Sequence, residues 1–334
     1  MILNAFTLTY LLCSTACLAT IAMASLTGVN AGWRWDRSKE TEDRYRLEKR
    51  VYLVVTLLSV AFVGRIFMIP LWFFALHSLI PSIPGALCLV GVHQASFPAA
   101  GISSGMKLIT PALYLYWLQL HGADRRIPTQ PLMQPKLLFL APLGLFALVE
   151  VCMDLRSLFS VPLRRVSCCA SLIDAPTDVL ATPAAVALPL WPWSFFLLSC
   201  LVLCLLYLQA RATSRCRQPS WHFSLRAACL CTALTAATLV SYGMTLHTYA
   251  PELSGGVLSG PCLFCAVQES LLVALSLGCV LVAASWHLAC SWAVCHSKFP
   301  VDHPGAMAAV KRSLLTCFTL CAVGTALLAI QLTR

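Results

Sequence analysis

The chain has 334 residues, of which 59% are hydrophobic and 11% charged, and a formal net charge of +10. A soluble domain carries about 25% charged residues. This composition therefore excludes a soluble or disordered chain and points to an integral membrane protein in a lipid bilayer, a single all-α polytopic bundle over residues 1–334. The basic residues fall in short loops rather than on one aromatic-rich surface, which argues against a nucleic-acid partner.

A spanning helix needs about 20 mostly apolar residues. Eight stretches meet that need: Ile2–Thr27, Val51–Leu79, Ser104–His121, Leu137–Phe159, Leu190–Ala210, Ala227–His247, Leu263–Cys290 and Ser313–Leu332. The first has a cleavage-like Ala22-Met23-Ala24. No Lys or Arg precedes its apolar run, which is also too long for a signal core, so it is expected to be a retained helix with its N-terminus outside. In the second stretch Pro70 is expected to cause a kink. Residues Leu71–Ile80 then either continue the helix or lie along the interface, with Trp72 as an anchor.

Lys and Arg bias sets the orientation. The loop Gly28–Arg50 holds Arg34, Arg37, Lys39, Arg44, Arg46, Lys49 and Arg50. Arg125, Arg126 and Lys136 follow the third stretch, Arg211, Arg215, Arg217 and Arg226 the fifth, and Lys298, Lys311 and Arg312 the seventh. With eight alternating helices these loops share one side, the cytoplasmic one, and both termini lie outside. The outside connections 80–103 and 160–189 are Pro-rich and carry cysteine.

The 18 cysteines divide by position. Most, such as Cys13, Cys17, Cys279, Cys317 and Cys321, sit within apolar stretches, where a free thiol packs as a small hydrophobe. Five are expected at the outer face: Cys88, Cys168, Cys169, Cys262 and Cys265. That compartment is oxidising for a bacterial inner membrane. Cys262 and Cys265 stand in Gly260-Pro261-Cys262-Leu263-Phe264-Cys265, at the expected start of the seventh helix. A CxxC at a helix N-terminus favours thiolate, and its spacing suits a disulfide. Adjacent cysteines such as Cys168 and Cys169 bridge each other only under strain, so one of them is expected to pair elsewhere, with Cys88 or a CxxC sulfur. Three readings stay open for the five: a redox site, a structural disulfide, or a soft-metal site for Cu(I) or Zn(II).

The Pro-Cys-x-x-Cys helix start followed by an acidic residue resembles the quinone-coupled disulfide-generating membrane proteins, DsbB and the vitamin K epoxide reductase-like group. The resemblance covers about ten residues. It implies that Cys262 and Cys265 pass electrons to a bound quinone, and that a loop pair exchanges disulfides with a periplasmic thioredoxin-like thiol partner. Cys168 and Cys169 would fill that second role. The family has an arginine four residues after the second cysteine, where this chain has Glu269. The family core has four helices, against eight expected here.

Ionisable residues within a bilayer are costly and default to a functional role. Arg65 falls about 21 Å along the second helix. Lys107, Glu150, Asp154 and Glu269 lie at a similar, outer depth. Arg65 and Lys107 are expected to pair with Glu150, Asp154 or Glu269. Such pairs either pin helices together or line a polar pocket beneath the CxxC, with Glu269 relaying protons. Lys107, Thr110, Tyr114, Trp117 and His121 form one helical stripe, suited to packing or to facing a quinone. A b-type heme would require two histidines at equal depth, with His247 and His77 as the outer candidates and His93 in a loop; His287 and His121 lie nearer the inner side. His247 is the alternative modulator of a Cys262 thiolate.

Two functional classes follow. The first is a membrane thiol–disulfide oxidoreductase with an outward cysteine site, quinone-linked if the resemblance holds. The second is a non-enzymatic membrane component, a transporter or accessory subunit whose outer cysteines are structural disulfides or soft-metal ligands.

Overall fold

A computed structural model describes residues 4–35, 42–84, 86, 89–126, 130, 132–159, 197–199, 201–202, 229–230, 232–245, 270–294 and 304–332. Among them every regular element is helical. In chain order these are α1 (Ala5–Trp35), α2 (Glu42–His77), a 3-10 turn (Ile80–Ser82), α3 (Leu89–Ala95), α4 (Ala99–Asp124), α5 (Met133–Leu138), α6 (Leu140–Phe159), α7 (Leu271–Val294) and α8 (Pro304–Leu332). Residues 232–245 are also helical. Five segments are long and apolar enough to cross a membrane: Ala5–Trp35, Tyr45–Ser82, Met133–Phe159, Leu272–Ala293 and Ala308–Gln331. They present large apolar side chains outward, among them Leu26, Leu53, Val60, Phe67, Phe74 and Leu145. Such a surface suits hydrocarbon rather than water.

The first connection is far shorter than the sequence suggests. α1 continues past Thr27 to Trp35 and α2 starts at Glu42, so Arg34, Arg46, Lys49 and Arg50 are helical. The 31 residues of α1 reach about 46 Å, beyond the roughly 30 Å hydrocarbon core. Packing explains the extension. A Cβ on Gly28 would meet Leu140 Cδ1 at 2.6 Å, and one on Gly32 would meet Leu137 Cβ at 3.1 Å. The missing side chains let α1 lie directly against α5 and α6.

α2 is helical through Pro70 to His77. Trp72 is fully buried against Tyr10, ring centroids 5.1 Å apart, and is not an interfacial anchor. The helix continues because its far end has an apolar partner. Trp72, Leu76 and Leu79 form one cluster with Tyr10, Ile83, Leu89, Val92 and Leu158.

α4 is longer than the stretch Ser104–His121 and is not among the five apolar segments. It packs against α2, α5, α6, α7 and α8. A helix surrounded by helices need not be apolar, because protein rather than lipid meets its polar groups. That position lets α4 carry Ser103, Lys107 and Thr110, all buried.

α7 and α8 run antiparallel in close contact. Ser276 Oγ donates to the Gly324 carbonyl at 2.7 Å, and a Cβ on Gly324 would meet Val280 at 2.9 Å. α7 begins at Leu271, where the Ser270 hydroxyl accepts from the Val273 amide at 3.4 Å and caps it; the expected start at Leu263 lies outside the described residues. The expected helix at Leu190–Ala210 and the two ends of Ala227–His247 lie largely outside the described residues.

Candidate functional site

Arg65, Lys107, Glu150 and Asp154 come from three helices and meet in one layer. Each is at most 2% exposed. Arg65 Nη2 stands 2.7 Å from Glu150 Oε2. Lys107 Nζ lies 3.1 Å from Glu150 Oε1 and 2.7 Å from Asp154 Oδ1. α6 sets this up by placing the two carboxylates one turn apart on a single face. α4 inserts Lys107 between them, and α2 brings Arg65 from the other side of Glu150.

Neutral donors complete the layer. Thr110 donates to Glu150 Oε2 at 3.2 Å. Tyr10 and Ser103 both donate to Asp154, whose Oδ2 also takes the Lys107 ammonium at 2.9 Å. Arg65 Nη1 donates to Ser14 Oγ at 2.6 Å. The Lys107 ammonium also sits 4.5 Å from the Trp72 ring centroid and 5.6 Å from that of Tyr10, a cation–π contact with two adjoining rings. Two positive groups thus face two negative ones, and every carboxylate oxygen has an in-chain donor. A charge in this setting is tolerable only when paired and hydrogen-bonded.

Apolar clusters close the layer on both sides. On one side lie Phe62, Tyr114, Trp117 and Ala147. On the other lie Trp72, Leu76 and Leu158, with the 3-10 turn and α3 folded over them. Leu89, the residue after Cys88, and Leu158, near the end of α6, both belong to this second cluster.

Cys88, Cys168, Cys169, Cys262, Cys265, Glu269 and His247 lie outside the described residues. The α4 stripe is a packing face along its length. Tyr114 stacks on Phe62 at 4.4 Å, and Trp117 meets the same ring edge-on at 5.3 Å. His121 stacks on Trp117 at 5.6 Å. Among the other described histidines, His93 is held by the Leu89 carbonyl and Ser104 Oγ and His287 by Thr235 Oγ1, whereas the buried Nδ1 of His77 has no hydrogen-bond partner. Among the described residues no group of three or more His, Cys, Asp or Glu side chains is arranged to hold a metal ion.

A second buried ion pair was hidden in what reads as a loop. Lys136, expected from the sequence to be a cytoplasmic loop charge, is 1% exposed and lies 2.5 Å from Asp124 Oδ2. Asp124 Oδ1 also accepts the Leu132 amide at 2.9 Å, and the Trp117 indole donates to the Lys136 carbonyl at 3.0 Å. The pair closes the turn between α4 and α5. Tyr10, Ser14 and Ser103 were likewise unread; only their fall on the inward faces of α1 and α4 could have marked them.

No family model, curated protein or solved structure matches the chain.

Proposed function

We propose that the chain is an eight-helix integral membrane thiol–disulfide oxidoreductase of a bacterial inner membrane, with both termini and its cysteine site outside. Cys262 and Cys265 form the membrane-proximal pair. Cys168 or Cys169, with Cys88, exchanges disulfides with an external thioredoxin-like thiol protein. In the oxidising step two S–H bonds break, one S–S bond forms, and two electrons and two protons pass to a quinone, giving the quinol. Glu269, four residues beyond Cys265, relays protons.

One observation carries the reading: the closed side of the ionic layer is also where the chain enters the cysteine-bearing stretches. Leu89 leads out of Cys88 and Leu158 leads into 160–189, and both pack over the layer. The layer fixes α1, α2, α4 and α6 in register next to Leu89 and Leu158, where the chain passes to these stretches. Arg65, Lys107, Glu150 and Asp154 thus act on the cysteine site by positioning rather than by direct contact.

The experiment is redox titration of the full chain in native membranes, with and without added quinone. The Cys262–Cys265 pair is expected to open with a mild thiol reductant and to close again when quinone is supplied. Thiols that stay reduced in both conditions, or closure that persists unchanged in Cys168→Ser/Cys169→Ser chains given only the external partner, would overturn the assignment.

The non-enzymatic reading draws on a different observation, the saturation of the two carboxylates in the ionic layer. Every carboxylate oxygen is filled, so the layer itself works as a pin between helices. In that case the outer cysteines are structural bridges or soft-metal ligands. A bridge that survives mild reductant, or stoichiometric copper or zinc in the purified protein, favours this second reading.

A further inference from the structure

α4 ends against the start of α8. Ser313 Oγ donates to Gln119 Oε1 at 2.9 Å, and Leu120 and Ala123 of α4 share one apolar cluster with Val310 and Leu314 of α8. The contact gathers basic residues at one end of the bundle. Arg125 and Arg126 close α4 just beyond Ala123, Lys311 and Arg312 follow Val310 directly, and all four are exposed. The Arg125 backbone is fixed by its amide, which donates to the His121 carbonyl at 3.0 Å. Asp124, the acidic residue among the described residues of this junction, is fully buried and turned inward onto Lys136. Among the described residues no ion pair engages Arg125, Lys311 or Arg312. The positive charge here is therefore left to face outward.

The apolar segment of α8 begins at Ala308, so Arg312 stands about 6 Å inside its end. A headgroup layer is about 5–7 Å deep, and long basic side chains extend toward it. Leu315, 43% exposed, lies one turn beyond Lys311 on the same side of α8. The surface thus carries cations above an apolar face, the order in which a phospholipid presents its phosphate above its acyl chains. We propose that the α4–α8 junction binds the headgroup of an anionic phospholipid. Lys311 holds the phosphate above Leu315, Arg312 stands beside it, and Arg125 contributes from α4. Basic pockets between membrane helices bind anionic headgroups in this way. The inference does not rest on the thiol chemistry proposed above.

In the test, the full chain in a neutral detergent is given phosphatidylglycerol or phosphatidylcholine, and bound lipid is counted by native mass spectrometry. Phosphatidylglycerol is expected to bind in preference. Lys311→Gln should lower its affinity about five-fold, the weight of one basic residue near an anionic surface. Arg125→Gln and Arg312→Gln should act in the same direction. All three side chains are exposed, so the variants should keep the parent's circular dichroism. Arg46→Gln/Lys49→Gln, at the start of α2 where Arg46 already pairs with Glu42 at 2.7 Å, should leave the affinity unchanged. Inorganic phosphate should not displace the lipid, because it has no acyl chain to lie along Leu315. Equal binding of the two lipids, an undiminished affinity in Lys311→Gln, or an equal loss in the α2 variant would overturn the inference. Displacement by inorganic phosphate at the lipid's own concentration would do the same.

Discussion

Replacing Lys107 with methionine is the sharpest perturbation of the ionic layer. Methionine fills much of the same volume and removes one positive charge. Glu150 keeps Arg65 at 2.7 Å and Thr110 at 3.2 Å. Asp154 keeps only the hydroxyls of Tyr10 and Ser103. The layer goes from balanced to one uncompensated buried negative charge, a change that costs about 3–5 kcal/mol. At about 2 °C per kcal/mol for a chain of this size, the detergent-solubilised protein should unfold about 6–10 °C lower. Lys107→Met/Asp154→Asn restores neutrality while leaving acceptors for Tyr10 and Ser103. The double variant should therefore be more stable than Lys107→Met alone, with a coupling energy of about 2 kcal/mol in the cycle. The assay is thermal unfolding of the four proteins followed by circular dichroism. A Lys107→Met loss below about 0.5 kcal/mol, or strict additivity in the cycle, would refute the claim that these charges form one closed unit.

Three other outcomes follow from the same structure. Asp124→Asn strands the Lys136 ammonium at the α4–α5 turn and should cost about 3–5 kcal/mol, most of it recovered in Asp124→Asn/Lys136→Met, as measured by unfolding midpoints. Gly28→Val drives a side chain into Leu140, where even a Cβ would stand at 2.6 Å, and should cost about 1–3 kcal/mol while lowering the yield of folded protein on size-exclusion chromatography. Burial holds the His93 pKa below its usual value, so the folded protein resists protonation there. Its contribution is whole above about pH 6.5 and declines as the pH falls below that value. His93→Gln should accordingly show less loss of unfolding temperature than the parent between pH 7.5 and pH 5.5.

The helical membrane architecture is legible in composition and in apolar run length, because lipid imposes both directly on the chain. The charged residues are legible as out of place for the same reason. Partner choice is not. Helical periodicity puts Glu150 and Asp154 on one face, but it cannot say that Lys107 bridges both carboxylates while Arg65 pairs with Glu150. Lys136 was obscured by its neighbours: beside Arg125 and Arg126 it reads as a topology charge, and only the tertiary fold brings Asp124 to it. The ends of α1 and α2 were obscured because hydropathy tracks lipid, whereas Gly28 and Gly32 extend the helix through contacts with α5 and α6. Trp72 follows the same logic, since an aromatic residue after a proline near a helix end fits an interface until Tyr10 and Lys107 are packed against it.

The central claim is that the outer cysteines form a working redox site next to the ionic layer. Differential alkylation of Cys88, Cys168, Cys169, Cys262 and Cys265 in intact membranes, before and after mild reduction, tests it most directly. The account predicts that Cys262 and Cys265 are bridged at rest, open with mild reductant, and close again within the same sample when the reductant is withdrawn and quinone is present. Two free thiols at Cys262 and Cys265 under every condition would contradict it.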